Sequence, residues 1–287
     1  MNFRILNNND QEALQTLLKK NASTSLFMLS NIEQTQINYS GAMFEGRYYG
    51  AFDGAQLIAV LVQYWNGNLM FQGDADAIEE LWVRFGTEFT KINGFIGRED
   101  LCQLLKAKYD QQPNARAYSI SSKERLYELD LSALQTPTLI NENQIQWRLA
   151  TLDDLEYLVP WMVDYNIEAL GAVKNEALVE ETTQSTLSKI NNQMTFVITH
   201  NDEPVATASY NAKTHPFVQI GAVWTPIQLR GRGYAQCAVA AALITAREDG
   251  FSRSILFTDE QNIAAQKAYE KIGYQSCGEF GLYILTN

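Results

Sequence analysis

A pattern of strand, capped helix and hairpin occurs twice along this chain of 287 residues. Phe3–Leu6 reads as a short strand, and an Asn-Asp pair then opens an amphipathic helix. Ile145–Leu149 starts the second copy, in which Thr151 and Asp154 have the spacing of a capping box. The nearly constant separation of the two copies indicates a duplication, which constrains the fold to two units built on one plan.

Each copy continues into a predicted β-hairpin. Asp53-Gly54 forms a turn between the apolar strands of Gly50–Val60, and Phe196–Ala206 repeats the arrangement with a different turn. Strands that alternate with helices are typical of α/β units with a mixed sheet. We therefore predict an α/β (α+β mixed sheet) protein with tandem domains, each a mixed twisted sheet flanked by helices.

The predicted domain boundary lies where Pro and Asn interrupt the periodicity. The first domain is expected to cover residues 1–135, a linker 136–143, and the second domain 144–287. Sequence identity between the two halves is low, so the argument for duplication depends on the order of elements.

Composition and charge exclude several classes of protein. Apolar residues make up 46% and charged residues 19% of the chain, as in ordinary globular proteins. Lys and Arg number 22 against 33 Asp and Glu, and the net charge of −11 disfavours binding to nucleic acids or anionic membranes. Three cysteines without close spacing indicate neither a disulfide framework nor a zinc site, and we predict no bound metal. The N-terminal residues show no hydrophobic signal core, so we expect a cytoplasmic protein.

The segment most informative about chemistry joins a predicted strand, Phe217–Trp224, to an alanine-rich helix that runs from about Gly233 to Glu248. Between them, Gly231 and Gly233 allow the main chain to approach an anion closely. Arg230 and Arg232, next to these glycines, add positive charge. A helix N-terminus also carries unpaired N–H groups and a partial positive charge. The order of strand, glycine loop and helix predicts a pyrophosphate site. The alternative is that the two glycines form a tight turn without a ligand.

Other familiar sites do not fit the sequence. The Gly-x-x-x-x-Gly-Lys loop is absent, and the dinucleotide pattern requires a third glycine where Gln236 stands. With two histidines and no Gly-x-Ser-x-Gly, the sequence disfavours a serine-hydrolase triad. Cys237 falls within the alanine-rich helix and is interpreted as a small core residue.

A second element follows the helix. Ser254–Thr258 reads as a buried strand, and the next helix carries Asn262, Ala265 and Tyr269. About two helical turns separate Asn262 from Tyr269, so both are expected on one face, where they would line a narrow channel. Tyr269 as a packing aromatic is the alternative.

Together these two elements resemble the GNAT acyl-CoA N-acyltransferases. Gln228–Gly233 is similar to the Gln/Arg-x-x-Gly-x-Gly/Ala loop of that family, and Asn262–Tyr274 resembles the element that follows it. The two occur in the family's order, with a strand and a helix between them. The resemblance covers residues 144–287, and the first half matches in layout only.

The resemblance implies an N-acetyltransferase that transfers the acetyl group of acetyl-CoA to a primary amine, on a small molecule or a peptide, by direct attack in a ternary complex. Tyr269 would protonate the departing thiolate, and an N–H near Val223 would stabilise the oxyanion. The residues implied to bind coenzyme A are Val223, Thr225, Gln228, Leu229, Arg230, Gly231, Arg232, Gly233, Tyr234, Ala235, Asn262 and Tyr269. A non-catalytic coenzyme A sensor, a tandem module without ligand, and transfer of a longer acyl chain are the alternatives.

The general base is less visible. Many members of the family carry a carboxylate on the strand before the loop, but Gln219–Trp224 contains none. Glu168 is the candidate, because it lies in the segment that borders the acceptor cleft in this fold. An exposed helix glutamate without a catalytic role is the alternative.

The first half is predicted to bind no coenzyme A. The matching stretch, Leu69–Asp76, has no Gly-x-Gly, and Asp74 and Asp76 at the helix start would cap it and repel an anion. Leu101 and Lys108 stand opposite the two channel residues of the second half. We interpret this half as a degenerate GNAT-like domain.

Overall fold

The chain forms two compact units in the computed structural model. The structure describes residues 1–37, 39–89 and 91–286. The first unit consists of Met1–Leu126 together with Gly278–Asn287, and the second of Tyr127–Cys277. Each unit is a sheet flanked by helices, as the repeated pattern predicts.

The boundaries between these two units differ from those expected from the sequence. The C-terminal strand returns to the first unit, where it pairs antiparallel with Gly94–Arg98. Within the expected linker, Thr138–Asn141 forms a short helix, and Ile140 is buried in the core of the second unit. Both differences depend on contacts between distant parts of the chain, which local composition does not report.

The first unit is built on a sheet with the strand order β1-β2-β3-β4-β5-β12. Its strands are β1 (Asn2–Ile5), β2 (Gly46–Asp53), β3 (Gln56–Tyr64), β4 (Asn68–Gly73) and β5 (Gly94–Arg98). Its helices are α1 (Gln11–Lys20), α2 (Ala22–Thr35), α3 (Ala75–Phe85) and α4 (Glu99–Tyr109). Two strands, β6 (Tyr118–Asp130) and β12 (Gln275–Leu285), contain residues of both units.

The second unit repeats the plan, with the order β6-β11-β10-β9-β8-β7. Its strands are β7 (Ile145–Leu149), β8 (Thr195–His200), β9 (Glu203–Thr214), β10 (Phe217–Trp224) and β11 (Arg253–Asp259). Its helices are α5 (Thr138–Asn141), α6 (Leu155–Leu170), α7 (Glu176–Asn191), α8 (Tyr234–Glu248) and α9 (Ile263–Lys271). Among the helices of the described ranges, none combines the length and hydropathy that crossing a bilayer requires.

The duplication is visible in atomic detail at the start of each unit. Arg4 donates two hydrogen bonds to Asp10, at 2.6 and 2.5 Å, and Arg148 donates two to Asp154, at 2.6 and 2.8 Å. The predicted capping box of Thr151 with Asp154 is confirmed. Burial would raise the pKa of Asp154, but hydrogen bonds from Arg148, the Thr151 N–H and a tyrosine hydroxyl outweigh it and lower the pKa.

Both predicted hairpins are confirmed. Gly54, at φ +58°, connects β2 to β3, while Asn201 and Asp202 connect β8 to β9 with φ values of +52° and +63°. Positive φ at both central residues matches the twist of a two-residue hairpin, and Asn and Asp tolerate it better than most side chains.

The sheet of the second unit is covered on both faces. Phe196 and Ile198 of β8 belong to the cluster that includes the alanine-rich α8, whereas Val197 between them packs with Leu158 of α6 and Ile190 of α7. This alternation follows from the period of two along a strand. The helix is hydrophobic all round because it lies inside the unit, and its alanines allow close approach to the strands.

Candidate functional site

Two parallel strands of the second unit separate towards their carboxyl ends. The pairing of β10 with β11 covers Phe217–Gln219, whereas β10 stays paired with β9 as far as Trp224. A register shift follows Gly221, and Ala222 has a φ of +48°, which marks a β-bulge. One edge of β10 beyond Gln219 is therefore left without ladder partners on β11, and an extended ligand can pair with such an edge.

The loop after β10 leads directly into α8. Gly231 and Gly233 have φ values of +77° and +82°, in the left-handed region that favours glycine. A Cβ atom added at Gly231 would meet no atom within 4 Å. Glycine is therefore favoured at these positions by the positive φ of the backbone and not by a lack of space for a side chain. At Gly231 the loop is open to solvent.

The N-terminus of α8 exposes its first N–H groups. Gly233 stands at the N-cap and provides no side-chain acceptor, and the N–H of Cys237 donates to the Gly233 carbonyl at 3.1 Å. The N–H groups of the preceding turn have no acceptor in the helix, as at every helix start. Together with the helix dipole, such N–H groups can bind an anion.

Arg230 is held by three contacts beside this loop. Its Nε donates to the Thr225 carbonyl at 3.0 Å, and its guanidinium carbon lies 4.7 Å from the centroid of the Trp224 ring. Its two Nη atoms donate to both carboxylate oxygens of Glu168, at 2.9 and 3.0 Å. The predicted base is thus brought to the loop, but both of its oxygens are engaged by Arg230.

Two buried polar atoms at the end of β10 have no hydrogen-bond partner among the described residues. They are Nε1 of Trp224, which is 5% exposed, and Oγ1 of Thr225, which is 7% exposed. A buried donor or hydroxyl left unpaired costs about 1–3 kcal/mol. Sites of this kind are satisfied when a polar ligand binds beside them, so the orphaned atoms fit a ligand that lies along the end of β10.

The helix α9 holds the other predicted residues. Asn262 stands at the N-cap rather than within the helix, and its Oδ1 accepts the N–H of Ala265 at 3.1 Å. Tyr269 is 8% exposed and packs edge-on against Tyr127 and Tyr274, with ring centroids 6.4 and 6.2 Å away. The structure therefore gives Asn262 a capping function, and places the Tyr269 ring in an aromatic cluster.

The other residues implied to bind coenzyme A line the same stretch of chain. Gln228 and Arg232 are exposed, whereas Val223, Leu229 and Ala235 are half-buried. Tyr234 is buried, and its hydroxyl lies 2.9 Å from Nδ1 of His200. The side chain of Tyr234 is thus engaged within the protein, which leaves its main-chain N–H for a ligand.

Sequence reasoning missed a lysine on the other face of the sheet. Nζ of Lys189 on α7 donates to Oδ1 of Asn211 at 3.0 Å, and the Asn211 amide lies against Gly221, where a Cβ would come within 1.9 Å of its Nδ2. Desolvation lowers the pKa of Lys189 to about 8. The sequence did contain a signal that Lys189 is buried. It is spaced at helical intervals from the buried Thr182 and Thr186, so that all three lie on the inward face of α7.

Replacing Lys189 by methionine is expected to stabilise the chain by about 2 kcal/mol at pH 7, after allowance for the lost hydrogen bond. The pKa of Lys189 is about 8 in the folded chain, against an ordinary value of 10.5, so the unfolded chain binds more protons between these pH values. Wild-type stability therefore rises with pH across that interval, and the advantage of the variant shrinks. Urea unfolding at pH 7, 9 and 10.5 measures it, and an equal gain at every pH would contradict the prediction.

The corresponding edge of the first unit differs in three respects. Pairing of β4 with β5 continues to Phe71 opposite Gly97, so these strands do not separate in the same way. Asp74 caps α3 by accepting the Ala77 N–H at 3.0 Å, as predicted. Lys108 is engaged with a glutamate of α3, and its Nζ lies 2.6 Å from that carboxylate.

Among the residues that the structure describes, no group of three or more His, Cys, Asp or Glu side chains is able to hold a metal ion. Cys237 is fully buried, and burial raises the pKa of its thiol to about 11. This thiol is therefore a core group, as its place in α8 predicts.

Comparisons with known proteins agree with this geometry. Residues 155–274 match the model of the acetyltransferase (GNAT) family. Among curated proteins, none matches the sequence of this chain.

Solved structures share the fold along nearly the whole chain. A Drosophila protein superimposes with a TM-score of 0.68 at 15% identity, covering 99% of this chain and 98% of its own. A GCN5-related N-acetyltransferase from Sphaerobacter thermophilus has a TM-score of 0.59 at 14% identity, with coverages of 98% and 94%. A tandem GNAT protein from the clavulanic acid biosynthesis pathway has a TM-score of 0.51 at 12% identity, with coverages of 98% and 97%. Residues 155–274 are thus similar to the acetyltransferase (GNAT) family, and the chain shares the fold of a tandem GNAT protein.

Proposed function

We propose that the second unit binds acetyl-CoA and transfers its acetyl group to a primary amine by direct attack in a ternary complex. The observation that carries this proposal is the separation of β10 from β11 after Gln219, directly below the uncapped N-terminus of α8. An extended arm that ends in a diphosphate requires these two features in this order, because the arm pairs with a strand edge and the diphosphate binds helix N–H groups.

The residues present fit such a ligand. The N–H groups of the loop and of the first turn of α8 would hold the diphosphate, and the open side of Gly231 leaves room for it. The free edge of β10 near Val223, with the unpaired groups of Trp224 and Thr225, would bind the arm. Arg230 and Arg232 add positive charge, and Asn262 at the N-cap of α9 would contact the coenzyme. The first unit is proposed not to bind it.

Acetyl-CoA would supply an activated acyl group as a thioester. An N–H near Val223 would donate to the thioester carbonyl oxygen and stabilise the negative charge that develops there. Tyr269 would donate its phenolic proton to the departing thiolate, whose basicity is close to that of a phenol. Both groups act without a metal in this proposal.

The acceptor amine must lose a proton before it can attack. For an aliphatic amine of pKa about 10.4, the neutral form is disfavoured by roughly 4.6 kcal/mol at pH 7. We propose Glu168 as the base. Because both of its oxygens accept from Arg230, we expect it to act only when a bound diphosphate offers Arg230 another anionic partner.

One observation favours a second candidate, a non-catalytic coenzyme A sensor. The strand before the loop has no carboxylate, and the proposed base is engaged in an ion pair. A sensor needs the coenzyme site but no base.

The test combines calorimetry with a thiol-release assay on the full chain. We expect acetyl-CoA to bind and a panel of primary amines, including polyamines, amino sugars and peptide N-termini, to release free thiol. Parallel titrations with butyryl-CoA and longer acyl donors report the acyl length. Binding without thiol release from any amine would favour the sensor, and absence of binding would reject both functions.

A further inference from the structure

The first unit contains a cavity of about 590 Å³ at the carboxyl ends of its parallel strands. Gln72 and Gly73, which end β4, and Arg98, which ends β5, all line it. Residues of α1, among them Glu12 and Lys20, form the opposite wall. Ligands of open α/β sheets bind at this edge, outside the carboxyl ends of the strands.

A buried donor lies at this cavity without a partner. Gln72 is fully buried, and its Oε1 accepts hydrogen bonds from the hydroxyls of Thr24 at 2.8 Å and Ser25 at 3.2 Å. In this orientation of the amide, both hydroxyls face Oε1 and the N–H groups point away from them. Its Nε2 has no hydrogen-bond partner in the residues that the structure describes. The described residues therefore provide no acceptor oxygen for the N–H groups of Gln72.

Arg98, which is ion-paired with Asp100, places a guanidinium group at the same cavity. Its Nε and Nη2 donate to Asp100 at 3.0 and 2.5 Å, and its Nη1 donates to the Gly73 carbonyl at 3.2 Å. A guanidinium has five N–H donors in a planar fork, so these three bonds hold the group in place and leave donors for a ligand. Lys20, which is exposed on the α1 wall, contributes a second cation.

We propose that this cavity binds a small carboxylate-bearing molecule, whose carboxylate accepts from the Gln72 amide and is attracted by Lys20 and Arg98. Glu12 on the wall disfavours polyanions and favours a carboxylate that also carries an ammonium group, as amino acids do. Coenzyme A does not fit this edge, because β4 remains paired with β5 to Phe71 and Asp74 caps the helix that follows. The inference does not depend on the proposed function of the second unit.

The first experiment uses the full chain without coenzyme. Glycine, glutamate, lysine and succinate are the probes, each at millimolar concentration, in thermal-shift and calorimetric titrations. We expect at least one amino acid to raise the melting temperature and to bind with measurable heat, and to exceed succinate. Absence of binding by every probe overturns the proposal.

Variants then locate the site. Gln72→Glu keeps the acceptor for Thr24 and Ser25 but places an anion opposite the carboxylate, and should weaken binding at least 10-fold, or about 1.4 kcal/mol. Lys20→Gln should weaken binding about 3-fold or more, whereas Lys19→Gln, an exposed neighbour outside the cavity lining, should leave it unchanged. If Gln72→Glu fails to fold, the site is tested by comparing the affinities of Lys20→Gln and Lys19→Gln. Equal affinity in the two lysine variants overturns the assignment.

Discussion

Replacing Gly231 by glutamate is expected to weaken acetyl-CoA binding by about 100-fold or more, because a carboxylate would stand among the N–H groups proposed to hold the diphosphate. The position is exposed, and an added Cβ meets no atom within 4 Å. The fold should therefore tolerate the change, apart from about 1–2 kcal/mol of strain at positive φ. Calorimetry with acetyl-CoA measures the loss.

The same helix provides the control. Gly250 follows the other end of α8, has a φ of +90°, and also has open space around its added Cβ. Gly250→Glu introduces the same charge and similar backbone strain far from the loop. We expect it to lower the melting temperature about as much as Gly231→Glu and to bind acetyl-CoA as the wild type does. Equal binding by both variants would contradict the assignment of the loop.

Removing the hydroxyl of Tyr269 is expected to reduce kcat about 100-fold or more, since general acid catalysis commonly contributes that much. The ring is 8% exposed and keeps its contacts with Tyr127 and Tyr274 in the Tyr269→Phe variant. Affinity for acetyl-CoA should change little, because the hydroxyl is proposed to act on the leaving group. Steady-state thiol release, together with calorimetry on the same preparations, separates the two quantities.

Tyr127→Phe is the matched control for this variant. Tyr127 belongs to the same aromatic cluster, and its hydroxyl donates to Glu270 at 2.9 Å. Its removal should lower stability by about 1 kcal/mol and leave kcat within a few-fold of the wild type. If Tyr269→Phe retains full turnover, the departing thiolate takes its proton elsewhere, from water or from the amine itself.

The local elements were largely predictable. The strand expected over Phe217–Trp224 has those bounds, and the helix expected from about Gly233 begins at Tyr234. The β-forming run and the alanine run are properties of adjacent residues, so the sequence pattern reports them. The strand read as Ser254–Thr258 extends by one residue at each end, which is within the usual error at element boundaries.

The contacts of the site were less predictable. Arg230 and Glu168 were each singled out, one for anion binding and one as a base, but their ion pair joins residues far apart in the chain. Asn262 was expected on a helical face, but it stands at the N-cap of α9. There its Oδ1 accepts a hydrogen bond from the N–H of Ala265. The lowered pKa of Lys189 was not predicted from the sequence. It results from burial, which depends on how the sheet and helices pack.

What this sequence determines by itself is local and periodic: two rounds of strand, capped helix and hairpin, a glycine loop before a buried helix, and the absence of that loop in the first half. What only the tertiary structure decided is long-range: the return of Gly278–Asn287 to the first unit, the separation of β10 from β11, and the unpaired amide of Gln72 at a cavity. The physical reason is that propensity and hydrophobic period act between near neighbours, whereas strand partners and orphaned polar atoms depend on which distant segments meet.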